Sequence, residues 1–152
     1  MTRTQLIILA ALGSAALLAG AFEFQAIGYA PCKMCLWQRW PHGAAVLIGG
    51  VALAFGGQVW AYLGATAALT TSALGLYHTG VERNWWEGPT TCTSGSIKGI
   101  DPEALLDQIL AAPVVRCDEV AWQLMGLSMA SWNAAASLVL VFIWIAAARR
   151  AA

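Results

Sequence analysis

Cys32 and Cys35 form a Cys-x-x-Cys pair just after Pro31, where one long apolar stretch gives way to the next. A dithiol so placed stands at a membrane surface. It can hold two electrons, and the bilayer is where lipid-soluble electron carriers travel. Cys92 and Cys117 lie in the one long polar loop and complete an even set of four, which reads as an electron relay. Three pairings are open to four cysteines. Cys32–Cys35 and Cys92–Cys117 are favoured as resting bonds because each pair lies within one segment, and thiolate attack can move a disulfide between such loops.

On a helix beginning near Pro31, Cys32, Cys35, Arg39 and His42 recur at i, i+3, i+7 and i+10 and share one stripe. Cys32 at the helix start meets the positive end of the helix dipole, and Arg39 lies one turn beyond Cys35. Both features favour thiolate, the attacking species. An arginine inside a span costs ~2.5–3.5 kcal/mol at mid-membrane on insertion scales, which makes Arg39 a functional candidate. Its cation can bind a quinone carbonyl oxygen and stabilise negative charge developing there. Glu23 and His78 are candidates for proton handling, with His78 preferred.

Two blander readings compete. A Cys92–Cys117 bridge that only braces the loop would stabilise it by roughly 3–4 kcal/mol in the chain-entropy model. Four thiolates could also hold zinc, but the second pair lacks short ligand spacing, and no metal is expected.

The chain has 152 residues, 59% hydrophobic and 11% charged, with acids and bases in balance. That is a membrane protein's composition, and the absent net charge gives nucleic acid no field to follow. Charge-free runs at Thr4–Phe22, Trp40–Val81 and Val120–Ala148 are matched to the roughly 20 residues of a helical crossing, the middle run being long enough for two. Gly56-Gly57-Gln58 divides it. The expectation is an all-α membrane protein, a four-transmembrane-helix bundle in one domain, with spans at about Leu6–Gly28, Leu36–Gly56, Gln58–Tyr77 and Leu127–Ala148. Arg3 and Ala19-Gly20-Ala21 resemble a cleavable signal, but the apolar stretch runs on past the cut through Phe24 and Ile27.

The long loop, about His78 to Gln123, should carry a short amphipathic surface helix. Asp101 caps it, Pro102 opens it, and Leu105, Leu106, Ile109 and Leu110 share the face laid on the bilayer. Small residues such as Gly13, Ser14, Gly43, Gly49 and Gly50 should permit close helix approach. Tryptophans and tyrosines near the loops should anchor the interfaces. A count of Lys and Arg does not settle orientation. Disulfide chemistry belongs to oxidising compartments, which puts the cysteines outside and both termini in the cytoplasm.

Pro31-Cys32-Lys33-Met34-Cys35-Leu36-Trp37-Gln38-Arg39 resembles the signature of the disulfide bond formation protein B (DsbB) family. The resemblance continues through Tyr77-His78-Thr79, Thr91-Cys92, Cys117-Asp118-Glu119 with Trp122, and Gly126-Leu127-Ser128-Met129-Ala130-Ser131-Trp132. It implies a bacterial inner-membrane thiol:quinone oxidoreductase. Such a protein reoxidises a periplasmic thioredoxin-like dithiol oxidase of the DsbA type and passes electrons to ubiquinone or menaquinone. Carried over, Cys92 receives the partner's attack, Cys117 resolves towards Cys32, and Cys35 faces the quinone beside Arg39, with His78 a further quinone contact. Gln38 departs from the pattern, since many members have an acidic residue there, and the Tyr77-His78 step lacks a residue that some insert. The alternative is a membrane scaffold or binding protein with structural disulfides. A membrane system running electrons inward is a third reading.

Overall fold

The computed structural model describes residues 1–93, 101, 110 and 115–150. Four long helices make up most of it: α1 (Arg3–Ala26), α2 (Lys33–Phe55), α3 (Gln58–Glu82) and α4 (Met129–Arg149). Each packs on two neighbours, α1 on α2 and α4, α3 on α2 and α4, so the bundle closes on itself. Three of them, α1, α3 and α4, are long and apolar enough to cross a membrane. The α2 helix has the length but opens with Lys33, Gln38, Arg39 and His42, which dilute its apolar second half. The outer faces present large apolar side chains such as Leu12, Leu47, Phe55, Leu76 and Phe142, as lipid requires and water would penalise.

The local signals explain the boundaries. Thr2 and Gln5 form a capping box at α1, and Gly56 and Gly57, both at positive φ, turn the chain from α2 into α3. Two departures from the sequence expectation stand out. The α3 helix continues past Tyr77 to Glu82, because Glu82 finds a hydroxyl partner in Ser128 and need not leave the protein for water. The chain before α4 is a two-strand hairpin, β1 (Gln123–Leu124) against β2 (Leu127–Ser128), turned at Met125 and Gly126, both at positive φ. Ser128 then caps α4 by accepting the Ser131 N–H, so that helix starts at Met129. The expected surface helix falls on residues of which only 101 and 110 are described.

Inside the bundle, Trp144 is fully buried against Gly64, where an added Cβ would come within 2.6 Å of the indole ring. Gly13 against Leu140 and Gly49 against Ala11 are comparably tight, whereas Gly43 and Gly50 face open space. Small residues thus set the helix spacing at particular points, and the others of the stripe do not.

Candidate functional site

Cys32 is the N-cap of α2. Its backbone is extended, and its sulfur accepts the Cys35 N–H at 3.1 Å, the place a serine or aspartate oxygen usually takes. This cap brings the two Sγ atoms to 2.7 Å, both as free thiols. Cys92 and Cys117 are disulfide-bonded, and the Cys117 N–H donates to the Cys92 carbonyl at 2.7 Å. The bridge packs with Cys32, Met34 and Val81 in one buried cluster, with Cys35 at its edge. All four sulfurs are therefore gathered at one end of the bundle, although they come from a helix start and a loop far apart in sequence. On the two sides of Cys117, Arg116 grips Asp118 through two hydrogen bonds of 3.0 and 2.6 Å. The guanidinium holds that carboxyl below its ordinary range.

His78 reaches the dithiol from α3, with Nε2 3.6 Å from the Cys32 sulfur. Its other nitrogen, Nδ1, faces the Gln38 Nε2 at 3.1 Å, and the same Gln38 nitrogen donates to the Met34 carbonyl. A carbonyl can only accept, so Gln38 must turn its NH2 toward both groups. His78 Nδ1 is then an acceptor, and the ring proton sits on Nε2, directed at sulfur. Ionising either of two sulfurs this close would hold the proton on the other.

Nε2 of His78 and the two Sγ atoms lie within 4.8 Å of one another, a spacing that could hold a metal ion. The Gln38 hydrogen on Nδ1 argues for a hydrogen bond to sulfur there instead, since a ligating Nε2 must be bare. Glu82, one turn on, approaches the same Nε2 at 3.9 Å.

Arg39 is held from α1. Its Nη1 donates to Gln25 Oε1 at 2.7 Å, its Nη2 donates to the Ala21 carbonyl at 3.0 Å, and its guanidinium lies 4.7 Å from the centre of the Phe22 ring. These contacts hold the guanidinium in one place.

A cavity of about 420 Å³ runs between the helices from the dithiol inward. Leu17, Ala21 and Phe24 of α1 and Met129 and Trp132 of α4 give it apolar walls, while Cys35, Arg39, His42 and His78 supply polar points. A mostly apolar space with a few convergent polar groups suits a flat, lipid-soluble ring bearing two oxygens.

A model of the family described as "Disulfide bond formation protein DsbB" matches residues 3–147. The chain belongs to this DsbB family. It is similar to disulfide bond formation protein B 2 of Pseudomonas aeruginosa PAO1, 32% identical over 133 residues that cover 82% of this chain and 78% of that protein. Disulfide bond formation protein B 1 of P. aeruginosa UCBPP-PA14 is similar to the same extent. No solved structure matches the chain. As a DsbB-family member with three helices apolar enough to cross a bilayer, it is a membrane protein.

Of the residues singled out in the sequence, Cys32, Cys35, Arg39, His42 and His78 line the cavity, and Cys92 and Cys117 lie against Cys32. Glu23 does not join them; it is exposed and absent from the lining. Asn133, Thr71, Glu82 and Gln25 went unnoticed in the sequence although each bonds a site residue. Two signals were present: Asn133 is an amide inside the charge-free final run, and Glu82 stands four residues after His78.

Proposed function

We propose that this chain is a thiol:quinone oxidoreductase of the bacterial inner membrane that reoxidises a periplasmic DsbA-type dithiol oxidase. The observation that carries the reading is the packing of a closed Cys92–Cys117 bridge against an open Cys32/Cys35 pair at the head of an apolar cavity. In the exchange, a partner thiolate attacks Cys92 and expels the Cys117 thiolate. Cys117 then attacks Cys32 of a Cys32–Cys35 disulfide and expels Cys35, and the partner's second thiol attacks the partner–Cys92 bond, which releases the oxidised partner and the Cys92 thiolate. Cys92 attacks Cys117 of the Cys32–Cys117 disulfide, rebuilds the Cys92–Cys117 bridge and expels Cys32. Two electrons and two protons now stand on the Cys32/Cys35 pair. Closure of that pair passes both electrons and both protons to ubiquinone or menaquinone, leaving hydroquinone. Arg39 binds the carbonyl oxygen where charge develops, and His78 steadies the Cys32 sulfur.

In this reading α2 is the fourth span. Its polar residues are tolerable in lipid because Gln38 and His42 are bonded to neighbouring helices and Arg39 to α1. Both termini then face the cytoplasm and the cysteines face the periplasm. Trapping tests the exchange: Cys117→Ser should leave the thioredoxin-like partner bound to Cys92 as a mixed disulfide on a non-reducing gel, and adding Cys92→Ser should abolish it. A bridge serving only as a brace for a membrane scaffold would form no such adduct.

A further inference from the structure

The α2 helix carries a second buried histidine for which the electron relay has no use. His42 is 3% exposed, lines the cavity, and places its Nε2 2.8 Å from the Asn133 Oδ1. The hydrogen-bond directions around it follow from one backbone carbonyl. Met34 O requires the Gln38 NH2, so Gln38 Oε1 is left to accept from Asn133 Nδ2 at 2.8 Å. Asn133 Nδ2 spends its second hydrogen on Thr71 Oγ1 at 3.1 Å, whose own hydroxyl donates to the Gln38 carbonyl. Asn133 Oδ1 can then only accept, and it does so from Ser137 Oγ and from His42. The ring proton of neutral His42 is therefore on Nε2. Its Nδ1 is a bare lone pair, buried and with no hydrogen-bond partner among the described residues.

A bare acceptor buried in a bundle is a cost unless something donates to it. The two forms of a quinone differ in this respect. The oxidised ring carries carbonyl oxygens, which only accept, and the reduced ring carries hydroxyls, which donate. We propose that His42, oriented by Asn133, is a binding residue selective for the reduced form, accepting the O–H of a hydroquinone at Nδ1. The inference rests on the quinone reading above and assigns that site a further residue. Arg39, a pure donor, favours the oxidised carbonyl, whereas His42, a pure acceptor one turn deeper, favours the hydroxyl that replaces it. Arg39 thus holds the acceptor as it arrives, and His42 draws the bound ring toward the reduced state.

The test compares dissociation constants for ubiquinone-1 and ubiquinol-1 by equilibrium dialysis, using full-length protein with Cys35→Ser in every sample to prevent turnover. His42→Phe should weaken ubiquinol-1 by roughly 3- to 10-fold, the worth of one hydrogen bond, and leave ubiquinone-1 within about two-fold. His42→Gln, which keeps a donor for Asn133 and an acceptor beyond it, should restore the preference. In 15N-histidine-labelled protein, His42 should show a protonated Nε2 and a bare Nδ1, and Asn133→Leu should abolish that bias. Equal losses for both ligands in His42→Phe, or an unprotonated Nε2, would overturn the proposal and leave the quinone reading standing. Failure of the parent protein to bind either ligand would overturn both.

Discussion

Cys35 and Arg39 stand one turn apart on α2, and α1 grips the guanidinium through Gln25 and the Ala21 carbonyl, which in the proposed function fixes it beside the acceptor. Arg39→Ala should raise the KM for quinone and slow its reduction while leaving disulfide exchange at Cys92 intact. The missing charge-assisted contact is worth ~1.5–3 kcal/mol, roughly ten-fold or more in KM. Steady-state kinetics with a short-chain quinone checks this, and unchanged kinetics would remove Arg39 from the acceptor site. Cys32, Cys35, Arg39 and His42 could be read from the sequence because a single helical stripe joins them. Asn133, Thr71 and Gln25 could not. Each is an isolated polar residue in an apolar run, and its meaning lies in a partner on another helix, which no local period encodes.

The four helices were legible because lipid imposes a length and forbids charge, and the Gly56-Gly57 break marks where α2 turns into α3. Their ends were less so. The α3 helix overruns its expected end because the Ser128 hydroxyl waits for Glu82, and the β1–β2 hairpin replaces a first helical turn because Met125-Gly126 adopt positive φ. The role of small residues was visible as a class but not one by one, since Gly13, Gly49 and Gly64 meet neighbours whereas Gly43 and Gly50 do not. Gly64→Val should therefore push Trp144 out of its seat and destabilise the bundle by about 1–3 kcal/mol, as overpacking does. Gly50→Ala should be close to neutral. Thermal unfolding of the two variants in detergent separates them, and equal stability would mean that α3 and α4 are not held at the spacing seen here.

The molecule as a whole is a bundle with its sulfur chemistry at one end, so its orientation decides which compartment supplies the partner. Reporter fusions after Gly57 and at Ala152 should report cytoplasm, and fusions within residues 94–99 should report the exterior. A long loop found in the cytoplasm would place the cysteines in a reducing compartment and reverse the assignment.

The most direct measurement of the central claim supplies purified protein with a reduced thioredoxin-like donor and ubiquinone-1, and follows donor thiols and quinone together. One quinone should be reduced for each donor dithiol oxidised, and Cys35→Ser should stop quinone reduction while the donor can still attack the Cys92–Cys117 bridge. Catalytic oxidation of the donor with no quinone consumed, or quinone reduction that survives Cys35→Ser, would contradict the route from Cys92–Cys117 through Cys32/Cys35 to the cavity.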